Sequence, residues 1–210
     1  MAIDFKNRAE AGGQLARLLI QYPRQGSVIL VPMNGSIIIG KVVSNKLGIP
    51  MDFLLASPLH HPERWDEMIG AVSPAGFCPA GTGHDHPDYV EQMLPRIRKW
   101  LNERALYLRN GAPPQSLTDK TVIVITEGIR TGLKLFLSLN AVSIERPAKL
   151  AIAAPVIAPE AIPLITTVTP EIHSLFTPMP YYRTDSFYRQ FKFHNDEELA
   201  AIFGGSQPLD

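Results

Sequence analysis

The sequence predicts an α/β fold with a doubly wound, mostly parallel sheet. Short apolar runs occur at residues 28–32, 121–125 and 149–155, and such runs are typical of strands that are covered on both faces. A further strand is expected at 51–56. Segments with helical periodicity separate them, which is the alternation expected of βαβ units. The 210 residues suit one domain built on a single sheet.

The first βα unit is clearly marked. Asn7 and Glu10 have the spacing of a helix N-cap and its N3 partner, so a helix is expected from there to Pro23. After the strand at 28–32, a loop at Gly35 leads into a second helix, which is predicted to end at Gly48. The strand at 51–56 then completes the unit.

Periodicity is lost between residues 57 and 87, which are rich in proline, glycine and histidine. Only residues 68–72 have the pattern of a strand, so the segment is predicted to be a small irregular flap. Asp88 and Glu91 repeat the capping spacing and predict the start of the next helix, in which Pro95 is a candidate kink.

The second half repeats the βα pattern. A glycine-containing loop and a helix follow the strand at 121–125, and a helical turn at Pro159 follows the strand at 149–155. A fifth strand of the sheet is expected at 171–176. Beyond it lies an aromatic C-terminal tail, at about 177–203, within the single domain 1–210.

Charge and cysteine content exclude several functional classes. Twenty basic residues balance twenty acidic ones, so no overall field attracts nucleic acid or an anionic membrane. One cysteine, Cys78, excludes an internal disulfide framework and fits a cytoplasmic protein. No apolar run is long enough for a membrane span, and the first residues lack the character of a targeting segment.

The loop after the strand at 121–125 is the best candidate binding site. In a parallel sheet it lies at the carboxyl ends of the strands, and its backbone amides open a helix, which suits a phosphate. Arg130 and Lys134 lie in the first helical turn, where the helix dipole disfavours positive charge. Either Glu127 pairs with Arg130, or an external anion occupies the loop.

At this loop the sequence resembles the type I phosphoribosyltransferases, and in particular a subgroup of small predicted phosphoribosyltransferases. The family motif has four apolar residues, two acids and a loop rich in threonine and glycine; here VIVI is followed by TEGIRTGLK. The resemblance implies that Glu127 contacts a ribose hydroxyl and that the amides of 128–132 with Thr131 hold a 5′-phosphate. The candidate phosphate and ribose contacts in the loop are Thr126, Glu127, Gly128, Ile129, Thr131 and Gly132. Arg130 and Lys134 join them because of their charge, although they stand where the family usually has small or hydroxyl residues.

The departures from the family pattern fall in the loops expected to bind substrate. Thr126 replaces the first acid of the pair, and the pyrophosphate loop reads Met33, Asn34 and Gly35, without the arginine typical of the subgroup. Ser57 and Pro58 stand where the subgroup has a basic pair. His60, His61 and Arg64 lie just downstream and are the candidates to replace that pair.

The resemblance and these departures leave two candidate functions. The first is a phosphoribosyltransferase-like protein that binds a small phosphorylated metabolite or an inorganic anion at 126–134, with transferase activity lost or altered. The second is an active, divergent phosphoribosyltransferase, with Glu127 as its catalytic residue, that requires Mg²⁺ to stabilise the departing pyrophosphate.

Other side chains have a structural and a functional interpretation. His60, His61, His84 and His86 could ligate a metal with Asp85, but they lack the ligand spacing of a known site, and no metal is predicted. The basic residues of 96–109 are interpreted as the solvated side of a helix. The aromatic residues of the tail have three interpretations: they pack over the sheet edge, they stack on a base, or they form a homodimer contact. These residues are Tyr181, Tyr182, Phe187, Tyr188 and Phe191.

Overall fold

The computed structural model describes residues 5–74, 76–81, 86–207 and 209. Its centre is a five-stranded sheet in which all neighbouring strands are parallel, in the order β2–β1–β6–β7–β8. The strands are β1 (Ser27–Val31), β2 (Met51–Phe53), β6 (Thr121–Ile125), β7 (Lys149–Val156) and β8 (Ile172–Phe176). The predicted fold class is confirmed.

Helices cover both faces of this sheet. They are α1 (Arg8–Leu18), α2 (Ser36–Leu47), α3 (Pro87–Leu108), α4 (Leu133–Ser143), α5 (Ile162–Thr166) and α6 (Asp196–Gly204). The predicted N-cap of α1 is present, since Asn7 accepts from the backbone N–H of Glu10 at 2.9 Å. Gly48 ends α2 in the left-handed conformation, at φ 67°, as its position predicts. Within the described residues no helix is both long enough and apolar enough to cross a membrane.

Alternate residues of each central strand enter different cores. Ile123 and Ile125 of β6 pack with α1, α2, α3 and α6. Val122 and Val124 pack with α4, α5 and the segment 177–195 between β8 and α6, which is the C-terminal segment. All four side chains are fully buried. Successive side chains of a strand point to opposite faces of the sheet, and here both faces are buried. All four positions are therefore apolar, and they appear as an unbroken apolar run in the sequence.

The segment 57–87 is not irregular, and the sequence prediction was wrong there. It contains a three-stranded antiparallel sheet of β3 (Ser57–His60), β4 (Met68–Val72) and β5 (Phe77–Pro79), in the order β3–β4–β5. Only β4 was predicted. The two edge strands carry Pro58 and Pro79, and proline is tolerated at a sheet edge although it counts against a strand in a sequence reading. Leu59 and Val72 pack this sheet against α3.

The start of α3 also differs from the prediction. His86 occupies the N-cap position and Pro87 is the first helical residue, whereas Asp88 lies inside the first turn. Proline at this position has the φ angle of a helix and lacks only an N–H that would be unsatisfied anyway. Pro95 lies within the helix, which continues to Leu108.

The C-terminal segment contributes to the core as well as covering it. Tyr181, Phe187 and Tyr188 are buried in the same core as Phe5 and β7, so for these residues the packing interpretation holds. Tyr182 is 74% exposed. Helix α6, which the sequence reading does not predict, has a complete capping box formed by Asn195 and Glu198. The homodimer contact stays a prediction.

Candidate functional site

The candidate site lies between the carboxyl ends of β1 and β6. The chain leaves β1 for β2 on one side and continues from β6 to β7 on the other, so these two adjacent strands form the topological switch point of the sheet. Ligands of open α/β sheets bind at this position. A cavity of about 500 Å³ opens there. Its lining includes Met33, Asn34, Ser36, Ser57, Pro58, Trp100, Arg104, Lys134, Thr184 and the whole loop from Thr126 to Gly132.

The loop of 126–132 is fixed to the end of β7 by its backbone. The N–H of Ile129 donates to the carbonyl of Val156 at 3.0 Å, and the carbonyl of Ile129 accepts from Ala158 at 2.8 Å. Gly132 then adopts φ 76°, and α4 begins at the next residue. A left-handed conformation favours glycine, so this glycine sets the angle at which the helix starts.

The outer half of the loop leaves backbone donors free. Among the described residues no acceptor is present for the amides of Arg130, Thr131 and Gly132. The Ile129 amide is already used by Val156, so the full amide set of 128–132 that the family resemblance implies is reduced here. The free amides are grouped at the N-terminus of α4, where the helix dipole favours an anion.

Glu127 forms an ion pair with Arg8, not with Arg130. The Nε of Arg8 lies 2.8 Å from Oε2 of Glu127, and the two side chains are 4% and 19% exposed. The alternative in which Glu127 neutralises Arg130 was therefore wrong. Because 119 residues separate Arg8 from Glu127 in the chain, no local spacing indicates the pair. Oε1 of Glu127 has no donor among the residues that the structure describes.

Arg130 and Lys134 are left as uncompensated charges beside the cavity. Both side chains are exposed and line the cavity. Within the described ranges no carboxylate lies within 4.0 Å of either. The cations, the free amides and the positive end of α4 therefore meet at one rim, and this arrangement attracts an anion.

Two glycines of the site are explained by packing and not by the approach of a ligand. A Cβ on Gly128 would come within 2.5 Å of the Tyr181 hydroxyl and 2.6 Å of Thr184 Cγ2. A Cβ on Gly35 would come within 2.6 Å of the Arg8 guanidinium. Both positions exclude a side chain because the C-terminal segment or Arg8 already fills the space.

The predicted pyrophosphate loop makes mainly internal contacts. The side chain of Asn34 accepts from the N–H of Ser36 at 2.9 Å, and Met33 is buried with its carbonyl accepting from Arg104 at 2.9 Å. The loop adjoins the other one, since the N–H of Glu127 donates to the Ser36 hydroxyl at 3.2 Å. Asn34 and Gly35 have no left-handed backbone conformation. The loop lines the cavity without contributing a charge.

Arg104 is the site residue that sequence reasoning missed. It was placed with the solvated basic face of α3, but it lines the cavity and pairs with Asp196 through both oxygens, at 2.9 and 2.7 Å. Its guanidinium lies 5.4 Å from the ring centroid of Trp100, which also lines the cavity. The spacing of Trp100 and Arg104 by one helical turn is the signal that could have indicated a shared face.

The downstream residues predicted to replace the missing basic pair do not reach the cavity. Arg64 pairs with Glu67 at 3.0 Å, and His61 accepts from two backbone amides through Nδ1 and contacts His86 at 2.9 Å through Nε2. His60 lies in a neighbouring groove of about 420 Å³. Ser57 and Pro58 themselves line the cavity.

Among the described residues, the cavity offers Mg²⁺ a single free carboxylate oxygen, Oε1 of Glu127. Protein sites for this ion normally use one or two carboxylates together with substrate phosphates. Among the residues that line the cavity Glu127 is the only carboxylate, and its Oε2 is held by a buried arginine. In the described part of the chain no cluster of three metal-ligating side chains occurs; His84 and Asp85 lie outside it.

Two tyrosines beside the loop keep their protons at neutral pH. Burial raises the pKa of Tyr188 far above its ordinary value, and its O–H donates to the carbonyl of Glu127 at 2.6 Å. Burial also raises the pKa of Tyr181, which shares a hydrogen bond of 2.9 Å with Thr184. Tyr188 therefore ties the loop to the C-terminal segment, and the hydrogen bond of Tyr181 lies within that segment.

The chain is an α/β protein with a cavity at the switch point of its parallel sheet, and its relatives include proteins that are named as phosphoribosyl transferases. The chain is 26% identical over 208 positions to relatives from two strains of Mycobacterium tuberculosis that are named as presumptive phosphoribosyl transferases. The alignment covers 94% of this chain and 46% of each relative, so the chain spans about half their length. No family model matches the chain.

A solved structure shares the fold over nearly the whole chain. The Thermus thermophilus protein TT1426 superposes with a TM-score of 0.81 at 24% identity, covering 95% of this chain and 97% of the other. This superposition shows a shared fold, and the names of the mycobacterial relatives agree with the resemblance to phosphoribosyltransferases.

Proposed function

We propose that this protein binds a phosphate-bearing ribose compound in the cavity at the 126–134 loop and that its transferase activity is lost or altered. The phosphate would be held by Arg130, Lys134 and the free amides at 130–132, with the Thr131 hydroxyl beside them. The free Oε1 of Glu127 would accept a ribose hydroxyl. The phosphorylated ligand and the single cysteine suit a cytoplasmic protein.

One observation carries the binding proposal. Two exposed cations stand at the N-terminus of α4 with no internal anion beside them in the described structure. The helix dipole disfavours such charges by about 0.3–1 kcal/mol each. An arrangement of this kind is favourable when an external anion neutralises it.

The composition of the cavity supports the loss of the transfer reaction. Phosphoribosyl transfer develops charge on the leaving pyrophosphate, which preorganised donors and a metal must stabilise. Here the first loop presents a buried methionine, β3 presents Ser57 and Pro58, and Arg104 is already neutralised by Asp196. Thr126 is buried and supplies no second carboxylate.

The alternative is an active, divergent phosphoribosyltransferase. The names of the mycobacterial relatives and the position of Glu127 at the switch point favour it. This alternative requires Mg²⁺, for which the single ion-paired carboxylate is a poor ligand set.

Calorimetric titration with inorganic phosphate, ribose 5-phosphate and phosphoribosyl pyrophosphate, each with and without Mg²⁺, tests the proposal. We expect both sugar phosphates to bind without the metal. Arg130→Ala and Lys134→Ala should each weaken phosphate binding about tenfold, because each removes a charged hydrogen-bond partner. Lys46→Ala is the matched control, since that exposed lysine lies at the C-terminus of α2, away from the cavity.

Pyrophosphate release in the presence of a nucleobase panel separates the two functions. No release from bound phosphoribosyl pyrophosphate supports the binding protein, whereas Mg²⁺-dependent release with any base establishes the enzyme. Failure of the wild-type protein to bind any of the three ligands would refute both.

A further inference from the structure

Arg8 is a buried cation that joins three separate segments of the site. Its Nε donates to Oε2 of Glu127 at 2.8 Å, and its Nη1 donates to the carbonyl of Lys192 at 2.8 Å. Its guanidinium lies over Phe191, with Cζ 3.6 Å from the ring centroid. Only 4% of the side chain is exposed.

The first loop of the site is shaped around the same side chain. Gly35 begins α2 beside the guanidinium, and a Cβ at this position would lie 2.6 Å from Nε and from Nη2 of Arg8. The loops after β1 and β6 and the C-terminal segment therefore all meet Arg8. A buried charge is costly unless it is paired, and here Nε and Nη1 of Arg8 each donate to an oxygen while the guanidinium lies over the ring of Phe191.

We infer that Arg8 is a positioning residue for the ligand: it holds Glu127 so that one carboxylate oxygen faces a ribose hydroxyl, and it couples the C-terminal segment to that contact. This inference rests on the proposed function. With Oε2 held by Arg8, Glu127 keeps a fixed orientation and Oε1 for the ligand. Tyr188 reinforces the coupling, because its hydroxyl bonds the carbonyl of Glu127 from the same segment.

Arginine is required for this role because of its shape. Its planar fork donates to two acceptors while its face stacks on an aromatic ring. Lysine keeps the charge, but it presents a single ammonium that does not combine these three contacts. Arg8→Lys therefore removes the orientation of Glu127 and leaves the net charge of the site unchanged.

The test compares two ligands in each variant. In Arg8→Lys we expect the affinity for ribose 5-phosphate to fall about tenfold, the size of one charged hydrogen bond, while the affinity for inorganic phosphate stays within twofold. Phosphate contacts Arg130 and Lys134 and does not need Glu127. Arg17→Lys is the control, an exposed arginine at the other end of the same helix.

A second variant keeps the test informative if Arg8→Lys does not fold. Phe191→Leu removes the stacking surface and retains the ion pair. We expect its affinity for ribose 5-phosphate to fall about threefold to fivefold, again without loss of affinity for phosphate.

In the wild-type protein, ribose 5-phosphate should also slow hydrogen exchange at 188–192, because coupling between two sites is reciprocal.

The outcomes separate this inference from the proposed function. If wild-type protein binds neither ligand, the proposed function fails. If wild-type protein binds both, and the folded variants lose both equally or lose neither, the proposed function stands and Arg8 has a purely structural role.

Discussion

At the scale of single residues, the site is determined by which partner each side chain meets. Glu127 has the position of a ribose ligand in the sequence, yet half of its carboxylate is held by Arg8. Gly128 has the position of a phosphate-approach glycine, yet the space that its side chain would take is filled by Tyr181 and Thr184. These two residue types match the family motif, and the structure gives each of them a contact within the protein.

The role of Gly128 leads to a prediction about stability. Gly128→Ala should lower the free energy of unfolding by about 1–3 kcal/mol, the cost of overpacking a filled site, because the new Cβ would meet the Tyr181 hydroxyl at 2.5 Å. Chemical denaturation measures this. The penalty should shrink when Gly128→Ala is combined with Tyr181→Phe, which removes the hydroxyl. Gly81→Ala, where a Cβ meets nothing within 4 Å, is the control; an equal effect of the two glycine substitutions would contradict the packing explanation.

At the scale of elements, helices from distant parts of the chain complete the cavity. Helix α3 supplies Trp100 and Arg104, and α6 supplies the aspartate that holds Arg104 in place. The small antiparallel sheet adds Ser57 and Pro58 to the lining of the cavity. Each of these elements follows local rules of its own, but only their docking on the parallel sheet forms a binding site.

The contact between α3 and α6 predicts an effect on anion binding. Asp196→Asn should raise the affinity for phosphate about twofold to fivefold, because Arg104 would no longer be neutralised; this range corresponds to about 0.5–1 kcal/mol. It should also lower the free energy of unfolding by up to about 1 kcal/mol. Glu197→Gln in the same helical turn makes the same charge change at an exposed residue that does not line the cavity. Equal affinities of the two variants would show that Arg104 has no part in anion binding.

At the scale of the whole molecule, the two ends of the parallel strands carry different groups. The carboxyl ends carry the cavity, and a polar cluster lies at the opposite ends, at the starts of β7 and β8. There the Tyr22 hydroxyl lies 2.7 Å from His173 Nε2 and 3.0 Å from Glu171, which pairs with Lys149. Burial lowers the pKa of His173, while the Glu171 carboxylate opposes this effect and Lys149 adds to it.

The direction of this pKa shift predicts how stability depends on pH. Because the folded state binds the proton on His173 less readily than the unfolded state does, the free energy of unfolding should fall as the pH drops below about 6.5, the ordinary value for histidine. The pKa of Glu171 is lowered by its hydrogen bonds, so this carboxyl loses its contribution only at lower pH, below its ordinary value of 4.5.

Denaturation between pH 7.5 and 5 therefore measures the histidine contribution. In His173→Gln the loss of stability over this interval should be smaller than in the wild-type protein, whereas His60→Gln, at an exposed histidine, should leave the dependence unchanged. A wild-type slope in His173→Gln would show that the buried histidine does not contribute to it.

Much of the fold was predictable, because its signals are local. The strands of the parallel sheet were predicted from short stretches of the sequence. The N-cap at Asn7 and the C-cap at Gly48 likewise depend on residues within a few positions of one another. The strands with Pro58 and Pro79 were missed because they are only four and three residues long and because proline counts against a strand in a sequence. Helix α6 carries a complete capping box that a longer reading of the tail could have found.

Local sequence is enough to predict the α/β alternation and a cationic, glycine-containing loop at the carboxyl end of a buried strand. Periodicity and turn chemistry are properties of short segments, so they can be recognised without the rest of the chain. The packing of the elements, in contrast, pairs Glu127 with Arg8, brings Arg104 into the cavity and leaves Arg130 and Lys134 uncompensated within the described structure. Ion pairing depends on distance in space, and the packing of the sheet brings together charges that lie 119 residues apart.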